Sequence, residues 1–305
     1  MQKKIKMNLS HKESNLERVE DNQVKLKTTI EKKDQARKHA EDSALEISDN
    51  IIIHYMLNFK DLCLVTLACP LITILTCLIT GFIFQWDDIH ETHCRVYNII
   101  PSISAITGIS PQKYLWRVSI AVHLGPRLLV AAVTRSYNDN LIAKASARNQ
   151  EEAKKWIDFT FWLQLLEIAC LTGVTYISNR ENYPAHEKLF ITFMVSSILH
   201  MWSSIKSTMK IAHIVGNHEV IIEKVRIKKK LLSVSIASII GIIGFFLQHR
   251  FLCHNLAFSW FALCEYIFAT TNIIFHFITM MDFPNEFLVI GKGFSKSSLH
   301  NPKVA

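Results

Sequence analysis

The amino-acid sequence predicts an all-α polytopic membrane protein in which six transmembrane helices form one bundle behind a charged N-terminal tail. Charge is distributed unevenly, because residues 1–61 hold 23 of the 60 charged side chains in the 305-residue chain. The rest of the chain alternates charged connections with apolar stretches of about 20 residues, the length that a helix needs to cross a bilayer. These observations exclude a soluble globular enzyme. With only 9 Gly, 7 Pro and 7 Cys, collagen-like and disulfide-dense classes are excluded as well.

Residues 1–61 are predicted to form a cytosolic tail that is disordered or weakly helical. They carry 12 basic and 11 acidic side chains in close mixture, and their few apolar residues keep no heptad spacing. No apolar h-region follows the first lysines, so we expect no signal peptide. The apolar segment 51–59 is too short to cross a bilayer, and we expect it to lie at the membrane surface.

Six apolar stretches follow, and each is predicted to form one transmembrane helix. Their approximate limits are residues 62–84, 114–134, 156–177, 188–209, 231–248 and 257–281. Together they define a membrane domain at residues 62–284, which includes a long connection at residues 85–113. Residues 285–305 are predicted to form a second, C-terminal tail.

The lysines and arginines between the spans predict the orientation of the chain. The tails and alternate connections hold 27 of them, whereas the remaining connections hold five. Because cytosolic segments are enriched in Lys and Arg, we predict that both termini face the cytosol and that the 85–113 connection faces the lumen. The net charge of +8 therefore indicates topology. Since these residues flank spans instead of forming a basic face, we predict no nucleic-acid partner.

Two of the seven cysteines differ from the others in their predicted location. Cys94 and Cys253 lie in connections that are predicted to be lumenal, whereas the other five lie within spans, where cysteine commonly packs as a small apolar residue. An oxidising lumen favours a disulfide between this pair, which would hold the 85–113 connection against the 249–256 turn. The alternative is two free thiols.

Ionisable and strongly polar side chains inside the predicted spans are the main functional signal, because a charge at the bilayer centre costs roughly 2.5–3.5 kcal/mol. At about 100° per residue, Asn272 and His276 lie within about 20° of Glu265, so the three share one stripe of the sixth span. One interpretation is that such groups join the helices through ion pairs and hydrogen bonds. The other is a polar site for a lipid headgroup or for catalysis. The residues of this kind are Arg117, His123, Arg127, Glu167, His200, Glu265, Asn272 and His276.

Acyl transfer to a lipid hydroxyl is one chemistry that these residues permit, since a histidine oriented by a carboxylate acts as a general base. The candidate catalytic residues are His93, His123, Glu167 and His200. No motif of serine hydrolases, kinases or zinc proteases occurs in the sequence. Although His90, His93 and Cys94 are potential zinc ligands, the disulfide would remove Cys94, and we predict no metal site.

A set of matching residues begins in the 85–113 connection and continues through the sixth span. They are Thr92-His93-Cys94, Asn98, Pro101-Ser102-Ile103-Ser104-Ala105, Pro111-Gln112, Tyr114, Trp116-Arg117, His123, Pro126-Arg127, Glu167, Thr175-Tyr176, His186-Glu187, Ser196-Ser197, His200-Met201, His249, Cys253, Glu265-Tyr266, Asn272, His276 and Asp282-Phe283. In these residues the chain resembles the post-GPI attachment to proteins factor 2 family, within the Frag/DRAM/Sfk superfamily of six-span membrane proteins. The resemblance covers about residues 62–290 and not the charged tail.

The resemblance implies a multi-pass membrane protein of the Golgi, with the endoplasmic reticulum as a second location. It implies a function in fatty-acid remodelling of glycosylphosphatidylinositol (GPI) anchors, in which a lyso-GPI intermediate is reacylated with a saturated chain. The partners would be GPI-anchored lipids or proteins and membrane lipids, and the acyl donor a lipid or acyl-CoA. Two alternatives stay open: a non-catalytic adaptor for GPI-anchored proteins, and a regulator of membrane lipid distribution.

An anionic phosphoinositol-glycan headgroup would be bound by cationic and polar side chains. We therefore predict a lumen-facing pocket formed by the 85–113 connection and spans two, five and six. In it, Arg117 would pair with the phosphate or with Glu265, and His93 or His123 would act as the base. The predicted substrate-binding residues are Arg117, His249, Glu265, Asn272 and His276.

Overall fold

A computed structural model of the chain describes residues 52–143, 146–215, 218–280 and 287–292. It confirms the predicted fold class, because six of its helices are long and apolar enough to span a membrane. Residues 1–51, and thus most of the predicted N-terminal tail, lie outside the described residues, as does most of the predicted C-terminal tail. The six long helices are α1 (Phe59–Phe84), α4 (Gln112–Ile142), α5 (Ala147–Tyr176), α6 (Tyr183–Val215), α7 (His218–Leu252) and α8 (Ala257–Met280).

Most of the helices extend beyond the predicted spans, because hydropathy detects only the part of a helix that is apolar. The start of α1 is capped by Asn58, whose side chain accepts a hydrogen bond of 2.9 Å from the backbone N–H of Lys60. The polar ends of α4 and α5 continue side by side and are joined by an ion pair of 2.6 Å between Arg135 and Asp158.

The long helices form an up-and-down bundle in which neighbours in sequence are neighbours in space, and α8 packs against α1. Apolar side chains fill the contact between α5, α6, α7 and α8, where Phe193 and Phe268 meet edge to face at 6.1 Å between ring centroids. The outer surface is apolar too, since Ile72, Trp162 and Ile240 are each more than 60% exposed. Such apolar side chains on the exterior suit contact with lipid.

The connection between α1 and α4 is folded onto the bundle and contains two short helices, α2 (Trp86–His90) and α3 (Ile103–Thr107). A disulfide joins Cys94 to Cys253, the pair that the sequence predicted. The Ser259 hydroxyl also accepts a hydrogen bond of 2.8 Å from the Ile99 backbone N–H. This connection and the α5–α6 and α7–α8 turns therefore lie at one end of the bundle, which we call the loop end.

Two short strands, β1 (Ile52–Asn58) and β2 (Phe287–Lys292), pair with each other in a two-stranded sheet. They were not predicted, because the apolar segment 51–59 was interpreted only as a segment at the membrane surface. A segment of seven residues forms a strand only when a partner supplies the opposite row of hydrogen bonds, and that partner lies more than 200 residues away in the sequence.

Candidate functional site

Five polar side chains from four helices meet in the interior of the bundle, and we call them the inner cluster: Arg127, Glu167, His200, Asn272 and His276. The Arg127 guanidinium donates a hydrogen bond of 2.7 Å to Glu167 Oε1, and the Asn272 amide donates a second bond of 2.8 Å to the same oxygen. His276 Nε2 lies 3.0 Å from Oε1, and His200 Nδ1 lies 3.2 Å from Oε2. Glu167 is therefore the centre of the cluster, and its exposed fraction is 0%.

Neighbouring polar groups fix the orientation of the inner cluster. His123 lies one turn before Arg127 on α4, and its Nδ1 donates a hydrogen bond of 2.7 Å to the Thr66 carbonyl of α1. Its other nitrogen, Nε2, can then accept from Arg127 Nη1 at 3.4 Å. The Asn272 amide also donates to the Ser197 hydroxyl of α6. The network thus includes groups of α1, α4, α5, α6 and α8.

Three members of the cluster have the chemistry of metal ligands, which the sequence analysis did not find. One ligand atom from each of Glu167, His200 and His276 lies within 4.8 Å of the others. Their spacing in the sequence reveals nothing, because they come from three different helices. However, Arg127 Nη2 lies 2.7 Å from both Glu167 Oε1 and His276 Nε2. The guanidinium therefore lies where a metal ion would have to bind between these ligand atoms. The arrangement fits an ion pair better than a metal site.

A cavity of about 120 Å³ lies inside the bundle and connects the inner cluster with the loop end. On the scale where one water needs roughly 10–15 Å³, it has room for several waters or a segment of a ligand. Its walls are mainly apolar and include Ile120, Leu171 and Phe268. From Glu265 to His276, which both line it, α8 rises about 16 Å. The cavity is therefore a long apolar space with polar groups at both ends.

At the loop end, the polar groups that line the cavity include Ser104, His186 and Glu265. Ser104 Oγ lies 2.9 Å from His186 Nε2, and His186 Nδ1 lies 2.7 Å from the Ile177 carbonyl oxygen. The carboxylate of Glu265 accepts a hydrogen bond of 2.9 Å from the backbone N–H of Ile103, the first residue of α3. Glu265 thus holds the short helix that carries Ser104.

Close packing keeps α3 against the α5–α6 connection. Gly108 follows α3, and a Cβ atom added there would lie only 2.6 Å from Asn179 Oδ1 and 2.7 Å from the Ser104 carbonyl oxygen. A side chain at this position would force the Asn179 amide or the backbone of α3 to shift. The absence of a side chain at Gly108 therefore allows Ser104 to approach His186.

The structure corrects the predicted pairing of Arg117 with Glu265. Arg117 donates a hydrogen bond of 2.5 Å to Glu181 Oε2 and one of 2.8 Å to the Tyr176 carbonyl oxygen, at the surface of the loop end. Glu265 points into the interior and bonds to Ile103 instead. The two residues lie on helices α4 and α8 with different neighbours, and helical phase alone did not reveal which face of α4 meets α8.

Two other predicted site residues lie away from the cavity. His93 is exposed in the connection before α3. His249 is buried at the loop end of α7 and packs against the Phe258 ring at 4.9 Å. Neither lines the cavity. In contrast, the predicted residues His123, Glu265, Asn272 and His276 line it, while Glu167 and His200 lie directly behind this lining.

The Arg117–Glu181 pair leads to a prediction about pH. The backbone N–H of Ser178 and then the Arg117 guanidinium lower the pKa of Glu181 from 4.5 to about 2. Because the pKa is depressed in the folded protein, the stabilisation is fully present above pH 4.5 and is lost as the pH falls through about 2. Glu181→Gln removes it, so we expect the difference in unfolding midpoint between wild type and variant to disappear across this window. The difference is small, since Glu181 is 42% exposed. If the difference in unfolding midpoint stays constant from pH 6 to pH 2, the Arg117–Glu181 pair does not contribute this stabilisation.

The predicted site residues did not include Ser104, His186 and Ser197, although all three are among the residues that carry the family resemblance. Serine is common in connections and in membrane helices, and His186 lies at the polar start of α6, outside the predicted fourth span. A polar residue carries a signal when it lies where polarity is costly. At the loop end the sequence does not show that cost, because the folding of the connection over the bundle is what buries His186 and partly buries Ser104.

Comparisons with known proteins place the amino-acid sequence in a family. Residues 58–286 match the family model described as Frag1/DRAM/Sfk1/Cwh43P N-terminal domain. A Drosophila melanogaster protein named "Post-GPI attachment to proteins factor 2-like" is 49% identical over 247 residues, which are 80% of this chain and 75% of that protein. A Xenopus tropicalis protein named "Acyltransferase PGAP2" is 30% identical over 237 residues, covering 77% of this chain and 92% of the relative. A Caenorhabditis briggsae relative named "Post-GPI attachment to proteins factor 2" is 31% identical over 75% of this chain and 86% of its own. No solved structure matches the chain significantly.

Proposed function

The chain belongs to the Frag1/DRAM/Sfk1/Cwh43P N-terminal domain family, and on that premise we propose that it remodels the lipid of GPI anchors as an acyltransferase. The proposed reaction transfers a saturated acyl chain from a donor lipid or acyl-CoA to the free hydroxyl of a lyso-GPI. Relatives of this chain carry the names "Post-GPI attachment to proteins factor 2" and "Acyltransferase PGAP2", which support the pathway and the reaction type.

The observation that carries the proposal is the apolar cavity inside a membrane-spanning bundle, with hydrogen-bonded polar groups at its ends. Burial of each CH₂ group is worth about 0.8 kcal/mol, so the walls of the cavity favour part of an acyl chain. The reacting carbonyl would then lie beside Ser104, His186 and Glu265 at the loop end, where a lipid headgroup is located. In acyl transfer, such groups move the proton of the attacking hydroxyl.

We place the protein in the Golgi membrane, with both termini in the cytosol and the loop end in the lumen. The distribution of lysine and arginine supports this orientation. The Cys94–Cys253 disulfide at the loop end supports it independently, since disulfides persist in oxidising compartments. In this orientation the reacting end of the cavity faces the leaflet in which lumenal GPI anchors lie.

The direct test uses the purified full chain in lipid nanodiscs, with lyso-GPI and either radiolabelled stearoyl-CoA or phosphatidylcholine that carries a labelled saturated chain. We expect label to appear in diacyl GPI with one of the two donors. If a folded sample transfers no label from either donor, the protein is not the transferase.

A second experiment in cells that lack the protein separates the two alternatives. Accumulation of lyso-anchors, together with that negative result in vitro, would support the adaptor. Altered leaflet asymmetry with normal anchors would support regulation of lipid distribution.

A bulky side chain in the cavity wall should block the acyl chain. Ala269 lines the cavity between its two polar ends, and we expect Ala269→Phe to lower the rate of transfer at least tenfold. Thr270→Phe is the matched control, because Thr270 is the next residue of α8 and is exposed on the outer surface. Thermal unfolding of both variants separates blocking from the overpacking cost of about 1–3 kcal/mol. Equal transfer rates for the two folded variants would rule out this cavity as the acyl site.

A further inference from the structure

The pair formed by Ser104 and His186 has the hydrogen-bond arrangement of a nucleophile and its base. His186 Nδ1 lies 2.7 Å from the Ile177 carbonyl oxygen, which can only accept a hydrogen bond, so Nδ1 carries the proton. In a neutral imidazole the other nitrogen, Nε2, is then an acceptor. Ser104 Oγ lies 2.9 Å from it and therefore donates its hydrogen to Nε2. A hydroxyl that donates to an oriented imidazole is activated for attack on a carbonyl carbon.

The pair is also held rigidly. Ser104 is the second residue of α3. The backbone N–H of its neighbour Ile103 donates a hydrogen bond to the buried carboxylate of Glu265. The N-cap residue Ser102 accepts a hydrogen bond of 3.1 Å from the Ala105 N–H. His186 has an exposed fraction of only 8%. A reacting group that is fixed by surrounding bonds loses little freedom when substrate binds.

We infer that Ser104 is the nucleophile of acyl transfer and that His186 is its general base, so that the acyl chain passes through a covalent ester on Ser104. This inference rests on the proposed function. The inner cluster does not offer the same chemistry. Arg127 engages both His123 and His276, and Glu167 is fully buried behind the cavity lining.

The reaction has two half-reactions. In the first, Ser104 Oγ attacks the carbonyl carbon of the donor ester or thioester and gives its proton to His186 Nε2. The donor C–O or C–S bond breaks, and the leaving oxygen or sulfur takes that proton. In the second, the hydroxyl of the lyso-lipid attacks the Ser104 ester and gives its proton to His186 Nε2. Ser104 Oγ then leaves and recovers the proton, so the groups return to their initial state.

Glu265 is a positioning residue in this scheme. It reaches Ser104 only through the backbone N–H of Ile103. Glu265→Gln keeps an oxygen acceptor for that N–H, whereas Glu265→Ala removes it. We therefore expect the glutamine variant to retain much of the rate that the alanine variant loses, with the loss in kcat rather than in KM.

The test incubates the purified full chain in nanodiscs with the labelled donor and no lyso-lipid, followed by peptide mass spectrometry. The two donor arms, stearoyl-CoA and phosphatidylcholine, identify which source supplies the chain. We expect an acyl ester on the peptide that contains Ser104. Ser104→Ala should remove the ester and lower transfer at least 100-fold, and His186→Gln should prevent formation of the ester. Thr192→Val is the control, because this exposed hydroxyl of α6 donates a hydrogen bond to the Lys188 carbonyl oxygen of its own helix and does not line the cavity.

The outcomes separate this inference from the proposed function. One outcome is that the wild type transfers the acyl chain but forms no ester, and that Ser104→Ala retains activity within fivefold of the wild type. This result would overturn the assignment of Ser104 as the nucleophile and would leave the proposed acyltransferase function intact. If the folded wild type transfers no acyl chain from either donor, the proposed function and the assignment of the nucleophile are both wrong. If Ser104→Ala does not fold, Ser104→Cys provides the second variant. It should form a thioester that neutral hydroxylamine releases, and a folded cysteine variant that transfers without a thioester would contradict the covalent route.

Discussion

Replacing Glu167 with alanine is expected to destabilise the folded protein by about 3–5 kcal/mol, the cost of leaving one partner of a buried ion pair without its counter-charge. Glu167 is fully buried, and the Arg127 side chain that it neutralises is only 4% exposed. The substitution also removes the acceptor for the Asn272 amide and the partner of His276. Arg127→Ala should cost a similar amount, because the carboxylate would then remain in the interior with two histidines and an amide.

The measurement is a denaturant titration in a detergent that keeps the wild type folded. Glu151→Ala is the matched control: Glu151 forms an ion pair with Lys155 at 2.8 Å, on the same helix as Glu167, but both side chains are more than 70% exposed. We expect little change in that variant. The double variant Arg127→Met/Glu167→Leu should be more stable than either single substitution, since no uncompensated charge remains. If Glu167→Ala unfolds at the wild-type midpoint, the ion pair is not a determinant of stability.

The helices could be predicted from the sequence because membrane burial imposes a length and a hydropathy on each span. The residues of the inner cluster were found for the same reason, since Glu167, His200 and His276 are polar where polarity is costly. Their partners were not found. Arg117 and Arg127 lie on one helix, ten residues apart, and nothing in the local sequence indicates that the first contacts Glu181 and the second Glu167.

Ser104 and His186 show a different limit of sequence reasoning. Both lie at the polar loop end, where hydropathy provides no contrast between functional residues and ordinary surface residues. Their contact spans 82 positions in the sequence. It depends on the fold of the connection before α4, on the missing side chain at Gly108 and on the bond from Glu265 to Ile103. These are tertiary features, which cannot be predicted from hydropathy or helical phase.

Loss of the disulfide is expected to affect both stability and transfer. In the chain-entropy account, a cross-link stabilises more when it closes a longer loop, and removing a native disulfide typically costs about 2–5 kcal/mol. Cys94 and Cys253 are separated by 159 positions. The membrane already restricts the unfolded chain, so we expect the lower part of that range. Because the bridge holds the connection that includes α3, its loss should also displace Ser104 and reduce acyl transfer.

We expect Cys94→Ser and Cys253→Ser to lower the unfolding midpoint equally, and the double variant to be no worse than either one, because each single substitution already breaks the bridge. Cys69→Ser, in α1 and outside the disulfide, is the control. Reduction of the wild type should reproduce the effect of the variants. Recovery of both cysteines as free thiols from the native protein would refute the bridge. A bridge that is present but whose loss leaves transfer unchanged would show that the hydrogen bonds to Glu265 and Ser259 hold the connection without it.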